Sequence, residues 1–305
     1  MTEIYSNCTL CPRNCHADRI NGRDGYCRMD AGWNIASVCI HKGEEPVVGG
    51  KDGICNIFFS GCNLHCIYCQ NHEISQPARL SALHATDKEE VLSEIITILS
   101  NGISSVGFVS PSHMIPGMKE IIAGIYSSGY RPVIIYNTNS YDKVEVIRGL
   151  DGIVDVYLPD FKYVSSDLAG RLSGAFNYGS IALSAIKEMY RQMGSSLITD
   201  ENGKAERGML IRHLVLPGHT DESKKVLATI AEELSTGVNI SLMAQYYPMH
   251  KASETSDLNR ALYKSEYDEV VSYMHELGFR NGWLQEIESN LNYLPDFSKD
   301  HPFEA

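Results

Sequence analysis

The sequence predicts an α/β protein in which parallel strands alternate with helices. Three observations support this prediction. After residue 55, short runs rich in Val, Ile, Leu and aromatic residues alternate with longer amphipathic stretches, and six such pairs follow one another. Of the 305 residues, 43% are hydrophobic, which is enough to bury a large core. Repeated β-α pairs place parallel strands side by side through right-handed crossovers. An open doubly wound sheet and a partial barrel both satisfy the pattern.

Each element can be assigned a range from its composition and periodicity. The predicted strands are residues 55–60, 105–110, 132–137, 153–159, 209–216 and 239–244. The predicted helices are residues 87–100, 115–128, 141–149, 180–194, 221–235 and 263–277. Asp87 is the expected N-cap of the first helix, because Glu89 and Glu90 follow it in the first turn. In either layout ligands bind at the carboxyl ends of the strands.

The two ends of the chain differ from this α/β region in composition. Residues 1–50 are rich in Gly and Cys with little periodicity, so we expect a Cys-rich extension there, which needs a metal or the main domain to order it. We expect the α/β domain over residues 51–290. Residues 291–305 carry Tyr293, Phe297 and Phe303, which predict an irregular strap anchored by aromatic side chains; a frayed terminus is the alternative.

Composition excludes several classes of protein. The net charge of −12 disfavours a nucleic-acid partner. No run approaches the roughly 18 apolar residues of a membrane span, and the N-terminus lacks the apolar centre of a signal peptide. We therefore expect a cytoplasmic protein without a membrane partner. All 9 cysteines lie within the first 69 residues, which indicates metal ligation in a reducing compartment instead of a disulfide framework.

The most specific motif is CNLHCIYC, which contains Cys62, Cys66 and Cys69 directly after the apolar run 57–59. Closed structural zinc or iron–sulfur sites use four protein ligands, whereas this group supplies three. An open coordination position indicates a catalytic site. The alternatives are a zinc knuckle and a reduced surface loop.

This loop resembles the cluster-binding motif of the radical S-adenosylmethionine (SAM) superfamily, in which three cysteines hold a [4Fe–4S] cluster and SAM binds the open iron. Tyr68 stands where an aromatic residue of that family lies near the adenine. The segments CTLCPRNC, HKGEEPVVGG, IFFSGCNLHCIYCQNHEIS, FVSPSH, VIIYNTNSYD, DVYLPDFKY, GMLIRHLVLPGH, MAQYYP and FRNGWLQ resemble the PflX-like group, which is related to pyruvate formate-lyase activating enzyme. The resemblance implies a (β/α)6 partial TIM barrel over residues 51–290.

The resemblance also implies SAM contacts at strand ends. Asp160 and Lys162 match an Asp-x-Lys pair that helps to hold the SAM carboxylate, for which a Lys ammonium is a suitable partner. A surface ion pair is the alternative. Asn137 and Asn139 follow the third strand, where amides suit the ribose hydroxyls; turn chemistry is the alternative.

One expected motif is missing. The family carries Gly-Gly-Glu after the second strand, where its carboxylate meets the SAM amine. This chain has Ser110, Pro111, Ser112 and His113 there instead. Ser110, Ser112 and His113 could supply hydrogen bonds in its place, so we take them as candidate SAM contacts. For His113 the alternative is an N-terminal helix position.

The last two strands supply further candidates. Alternation along the fifth strand sends Arg212 and His213 to opposite faces, and the resemblance favours Arg212 near SAM. Gln245, Tyr246 and Tyr247 end the sixth strand. They could line the substrate entrance or close the fold with hydrogen-bonded tips.

A second set of thiols lies in the extension. Cys8, Cys11, Cys15 and Cys27 could bind zinc or an auxiliary iron–sulfur cluster, or could be part of a reduced loop. Cys39 and Cys55 have no partners at ligand spacing, so we expect them to be buried as small hydrophobic residues.

The resemblance implies an enzyme that cleaves SAM reductively with its [4Fe–4S] cluster and abstracts a hydrogen atom from a protein, peptide or small-molecule substrate. Activation of a glycyl-radical enzyme is one possible task. An electron donor such as flavodoxin or ferredoxin is implied. The alternative is a non-catalytic iron–sulfur electron carrier or metal-binding scaffold.

Overall fold

The computed structural model describes residues 3–76, 87–287, 295–297, 299, 302 and 303. Within them lies a mixed α/β fold around one mostly parallel, nine-stranded sheet. The strands are β1 (Ile35–His41), β2 (Ile54–Phe59), β3 (Ser105–Val109), β4 (Val133–Thr138), β5 (Val156–Pro159), β6 (Ile198–Thr199), β7 (Ala205–Leu214), β8 (Asn239–Met243) and β9 (Gly282–Leu284). Their order is β1-β2-β3-β4-β5-β7-β8-β9, with β6 paired to β7.

Strand direction follows the expected β-α alternation. Strands β2, β3, β4, β5, β7, β8 and β9 run parallel, while β1 and β6 pair antiparallel with β2 and β7. Among the described strands β1 and β9 stand at opposite ends of the order, so the sheet is not closed. All six predicted strands are confirmed to within a few residues.

The described helices are α1 (Glu3–Ser6), α2 (Pro46–Gly49), α3 (His72–Ser75), α4 (Lys88–Ser100), α5 (Ile115–Ser127), α6 (Val144–Arg148), α7 (Ser166–Ser173), α8 (Tyr178–Met193), α9 (Thr220–Glu233) and α10 (Lys264–Glu276). The six predicted helices correspond to α4, α5, α6, α8, α9 and α10. The predicted cap is confirmed: the Asp87 carboxylate accepts hydrogen bonds from the backbone N–H groups of Glu89 and Glu90.

The two faces of the sheet have different surroundings. Side chains such as Phe108, Tyr136 and Ile211 pack in the main core together with residues of the helices. On the other face, Val47 and Val48 of α2 pack against a second apolar cluster that includes Ile54, Ile135, Leu158 and Leu210 of four strands. Because strand side chains alternate, β2, β4, β5 and β7 contribute to both clusters.

The N-terminal region contains a strand, β1, that the sequence did not predict. Residues of β1 pair antiparallel with β2, and Cys39 of β1 is buried, as Cys55 of β2 is. Cys39 and Cys55 are therefore the buried residues that we expected. The division into an extension, a main domain and a strap remains a prediction.

Part of the C-terminal tail contacts this edge of the sheet. Phe297 and Phe303 pack against Phe58, with ring centroids 5.4 Å and 5.6 Å away. These contacts are the kind that a strap requires. Tyr293 lies outside the described residues. In the described part of the chain, no helix is long and apolar enough to cross a membrane.

Candidate functional site

The three cysteines of the CNLHCIYC loop line one cavity beyond the carboxyl end of β2. The cavity has a volume of about 220 Å³, and Asn139, Asp160 and other strand-end residues complete its wall. Cys62 and Cys66 are buried and Cys69 is partly buried. The three thiols thus share this cavity with residues from the ends of neighbouring strands.

Neighbouring polar groups hold each sulfur atom. The Ser173 hydroxyl lies 3.0 Å from Cys66 Sγ, and the Ser75 hydroxyl lies 3.3 Å from Cys69 Sγ. The Asn139 amide donates to Cys62 Sγ at 3.4 Å. Such contacts fix the ligand side chains and tune the electron density on sulfur.

Burial governs the protonation of these thiols. It raises the pKa of Cys62 to about 12 and that of Cys69 to about 11, and it also raises the pKa of Cys66. Without a metal the thiols are therefore neutral near pH 7. Iron must displace their protons, as in any site where metal binding releases protons from its ligands.

Three thiolates suit an iron–sulfur cluster better than a single ion. Over the described residues, no three His, Cys, Asp or Glu side chains are gathered tightly enough to hold one metal ion. In a four-iron cluster each thiolate binds a different iron, so the sulfur atoms stand around a larger group. The donor set and its shared cavity fit a [4Fe–4S] cluster with one iron free of protein ligands.

A partly buried ion pair lines the same cavity as the cysteines. Lys162 Nζ lies 2.6 Å from Asp160 Oδ2, and both side chains are about one-fifth exposed. Burial opposes the charged ammonium, but the Asp160 carboxylate raises the pKa of Lys162 well above its usual range. A cation is thus fixed near the thiols, where it can attract a ligand carboxylate.

The end of β4 contributes two asparagines with different surroundings. Both Asn137 and Asn139 line the cavity. The Asn139 side chain is fully engaged: its amide nitrogen donates to Cys62 Sγ and Asn63 Oδ1, and its oxygen accepts from the Tyr141 N–H. Asn139 therefore positions the cysteine loop, and its predicted ribose contact is untested.

The loop after β3 carries Ser110, Ser112 and His113, which stand where the family has Gly-Gly-Glu. Only one of the three lines the cavity. Ser110 lines the cavity, whereas Ser112 and His113 are not among the described residues that line it. The Ser112 hydroxyl lies 3.2 Å from Thr138 Oγ1, and His113 Nε2 donates to the Ser60 carbonyl at 2.7 Å. Burial lowers the pKa of His113 to about 3, so its imidazole is neutral at ordinary pH.

Arg212 and His213 point to opposite faces, as alternation predicts. His213 turns toward α9 and bonds the Ser223 hydroxyl at 2.9 Å. Arg212 turns into the cavity, where its guanidinium donates to both Glu44 and Glu45, with Nε 2.9 Å from Glu45 Oε1. Burial opposes ionisation of Glu44, but Arg212 holds its pKa well below the usual range. Arg212 thus lies beside the cavity and is bound to two carboxylates.

Residues from the end of β8 close another side. Gln245 and Tyr247 line the cavity, and the Gln245 side-chain oxygen accepts from Gln285 at 2.7 Å. Tyr246 also lines it, while its hydroxyl donates to the Leu258 carbonyl at 2.6 Å. Tyr68 shares a short hydrogen bond with Tyr163. The candidate cofactor contacts at the wall of this cavity are Tyr68, Ser110, Asn137, Asn139, Asp160, Lys162, Arg212 and Gln245.

Sequence reasoning missed several residues that shape the site. Ser173 and Tyr163 form a hydrogen-bonded chain from Tyr68 to Cys66, and Tyr178 donates to the Asn139 and Asp160 carbonyls at 2.9 Å. These contacts join residues far apart in the chain. No local sequence pattern indicates these contacts. Ser173 is the last residue of α7, and Tyr178 is the first residue of α8.

The N-terminal thiols form a separate group. Cys8, Cys11 and Cys27 are buried, and Cys15 is exposed. The other three thiols each act electrostatically on Cys11, so the four lie near one another. The second metal site at these four cysteines stays a prediction.

One sequence comparison supports the assignment of the cysteine loop, and a second identifies a relative of the chain. Residues 48–170 match the family described as a 4Fe-4S single cluster domain, and this range contains Cys62, Cys66 and Cys69. The chain is also similar to the uncharacterized protein MJ0674 of Methanocaldococcus jannaschii, with 32% identity over 276 residues, which cover 88% of this chain and 74% of that protein.

A search of solved structures finds similarity to SuiB of Streptococcus suis. Its crystal structure superposes with a TM-score of 0.48 at 12% identity, covering 78% of this chain and 50% of SuiB. SuiB bound to S-adenosylmethionine gives 0.48 at 12% identity, covering 74% of this chain and 48% of SuiB. SuiB bound to its precursor peptide SuiA gives 0.49 at 12% identity, covering 79% and 51%. The chain therefore spans about half the length of SuiB.

Proposed function

We propose that this chain, which belongs to the same family as the uncharacterized protein MJ0674 of Methanocaldococcus jannaschii, is a radical SAM enzyme. Its [4Fe–4S] cluster would bind Cys62, Cys66 and Cys69. One observation carries the proposal: in the described part of the site, three thiols share a cavity with the Asp160–Lys162 ion pair and no fourth thiol lines it. A cluster held by these three thiolates would have one iron without a protein ligand, in a cavity that also contains the Lys162 ammonium.

The residues of the cavity suit the parts of SAM. The Lys162 ammonium, held by Asp160, would bind the SAM carboxylate, and the Asn137 amide would contact the ribose. Tyr68 would lie near the adenine. With cluster and SAM bound, the chemistry supplied is reductive cleavage of SAM to methionine and a 5′-deoxyadenosyl radical. The protein orients SAM and excludes water from it.

We propose that the sheet forms a (β/α)6 partial barrel around this site. The support is that side chains of β2, β3, β4, β7, β8 and β9 line a second cavity of about 460 Å³. This cavity shares Asn137, Arg212 and Gln245 with the cysteine cavity, so the two adjoin. A substrate held there would lie beside the radical.

The substrate would lose a hydrogen atom to that radical. It is a small molecule, a peptide or a loop of a glycyl-radical enzyme. We propose that the electron comes from a low-potential donor of the flavodoxin or ferredoxin type and that the reaction takes place in the cytoplasm. Nucleic acid is not proposed as a partner, because the net charge is −12.

The decisive experiment uses the full chain, reconstituted anaerobically with iron and sulfide and then reduced. Added SAM should change the cluster EPR signal, and 5′-deoxyadenosine should be released. Cys66→Ala should abolish this release, while Cys39→Ala, which changes a buried cysteine outside the site, should retain it. A cluster that ignores SAM would instead identify an electron carrier.

The activating role needs a separate test. The protein would be incubated with SAM, a reductant and a candidate partner that carries a glycyl-radical loop, and the partner would be examined by EPR. A glycyl doublet in the partner supports activation. Release of 5′-deoxyadenosine with no doublet would direct the search to peptides and small molecules.

A further inference from the structure

Arg19 is a buried cation whose hydrogen bonds reach no carboxylate. The residue is 1% exposed. The guanidinium donates to the carbonyls of Met29, Asp30 and His113 at 2.7–3.1 Å. It also donates to two sulfur atoms, Cys8 Sγ at 3.8 Å and Met114 Sδ at 2.8 Å.

A buried guanidinium without a counter-charge is costly, since neutral carbonyls satisfy its donors without balancing its charge. No ion pair to Arg19 occurs among the described residues. The groups near it that can become anionic include the Cys8 and Cys27 thiols and the Tyr5 ring, over which the guanidinium lies at 4.5 Å. Thiolates that bind a metal would supply the missing negative charge.

We propose that Cys8, Cys11, Cys15 and Cys27 hold an iron–sulfur cluster, with Arg19 as the positioning residue that balances its charge. Four thiolates complete the ligand set of such a cluster. A tetrahedral zinc site would instead gather the four sulfur atoms around one ion. Metal content distinguishes the two, since a zinc site would hold one ion and no sulfide.

The segment that carries these four cysteines packs against the loop that carries Cys62. A Cβ atom on Gly61, the residue before Cys62, would lie 2.5 Å from the Cys27 carbonyl oxygen, so Cys27 packs directly against the catalytic loop. Arg13 donates to the Asn63 carbonyl at 2.7 Å, and Arg19 donates to the His113 carbonyl at 2.7 Å. The N-terminal segment therefore supports two of the loops that shape the proposed SAM site.

The first test separates this site from the catalytic one. A variant with Cys62, Cys66 and Cys69 all changed to Ala would be reconstituted anaerobically, and its iron, sulfide and zinc would be measured together with a Mössbauer spectrum. We expect about four iron and four sulfide ions per chain. Adding Cys11→Ala and Cys27→Ala should remove them. Zinc without iron, or no metal, would overturn the proposal, whatever the SAM activity of the wild type.

A second measurement covers the case in which that variant fails to fold. Wild-type protein should hold about twice the iron of a Cys11→Ala, Cys27→Ala variant, since one of two clusters is lost. Equal iron in the two proteins would contradict the site.

Arg19 has its own test. Arg19→Gln should give the N-terminal cluster a more negative midpoint potential, because a positive charge favours the reduced form. Arg19→Lys should restore most of the potential, and the exposed Arg23→Gln is the matched control. An unchanged potential in Arg19→Gln would limit Arg19 to a packing role.

Discussion

The Ser173 hydroxyl, at the end of α7, lies 3.0 Å from the sulfur of Cys66. Tyr163 is 3.0 Å from the same hydroxyl and in turn bonds Tyr68. The loop is held to α7 by its backbone as well, since the Ile67 N–H donates to the Leu172 carbonyl at 2.9 Å. A catalytic cysteine is thus tied to a helix more than a hundred residues later in the chain.

Removing this hydroxyl should make the proposed catalytic cluster harder to reduce. A hydrogen bond to sulfur stabilises the added negative charge of the reduced cluster, so Ser173→Ala should lower its potential by tens of millivolts, where about 59 mV is tenfold for one electron. An EPR-monitored redox titration measures the shift. Ser184→Ala, which removes an exposed hydroxyl on α8, is the control. Equal potentials in both variants would exclude a tuning role for Ser173.

Lys162→Met should weaken SAM binding while leaving the cluster in place. The variant loses a charged hydrogen bond worth about 1.5–3 kcal/mol, so the Kd for SAM should rise roughly 10- to 100-fold. Equilibrium binding to the reconstituted protein gives the Kd, and the absorbance of the cluster shows that it is intact. Lys187→Met removes an exposed ammonium from a surface ion pair and should change little. SAM binding that survives Lys162→Met would remove this residue from the site.

The fold was largely predictable because its strands are apolar runs with local signals. The ranges of β3, β4 and β8 follow from five or six consecutive residues each. Strand β1 was not predicted, since its alternation is short and lies in a Gly- and Cys-rich segment. Its partner β2 supplies the hydrogen bonds that stabilise it, and pairing of this kind is not visible in the β1 sequence alone.

The candidate site was predictable to the extent that its residues follow strand ends. Cys62, Asn137, Asp160 and Gln245 all reach the cavity for that reason. The partners of these residues were not predictable. Arg212 bonds Glu44 and Glu45 across separations of 168 and 167 residues, and such contacts have no period or spacing in the sequence.

Stability should fall in mild acid because of His213. Its Nδ1–H donates to the Phe161 carbonyl at 2.7 Å, and burial lowers its pKa from 6.5 to about 4. Between those values the unfolded chain binds a proton that the folded chain does not, so stability is lost as the pH falls from 6.5 to 4. At 1.36 kcal/mol per pKa unit the loss is roughly 3 kcal/mol.

Urea unfolding at several pH values measures this dependence. His213→Asn keeps a donor near the Phe161 carbonyl without an imidazole, so its stability should fall less over the same range. The exposed His275→Gln is the control and should keep the wild-type slope. An identical slope in His213→Asn would assign the acid sensitivity to other groups.

Arg212→Met should destabilise the fold strongly. The substitution leaves Glu44 and Glu45 buried without their cation, and breaking a buried ion pair on one side costs about 3–5 kcal/mol. Chemical unfolding gives the change in free energy. Arg191→Met, whose ion pairs involve an arginine that is 56% exposed, should cost at most about 1 kcal/mol.

The cause of that loss can be separated from lost packing. If uncompensated charge dominates, adding Glu44→Gln and Glu45→Gln to Arg212→Met should recover most of the stability, because neutral amides remove the two buried charges while they keep the side-chain volume. The same triple variant should still bind SAM if Arg212 acts only through the carboxylates. If the triple variant regains stability but does not bind SAM, then SAM binding requires either the guanidinium or the charges of the two glutamates.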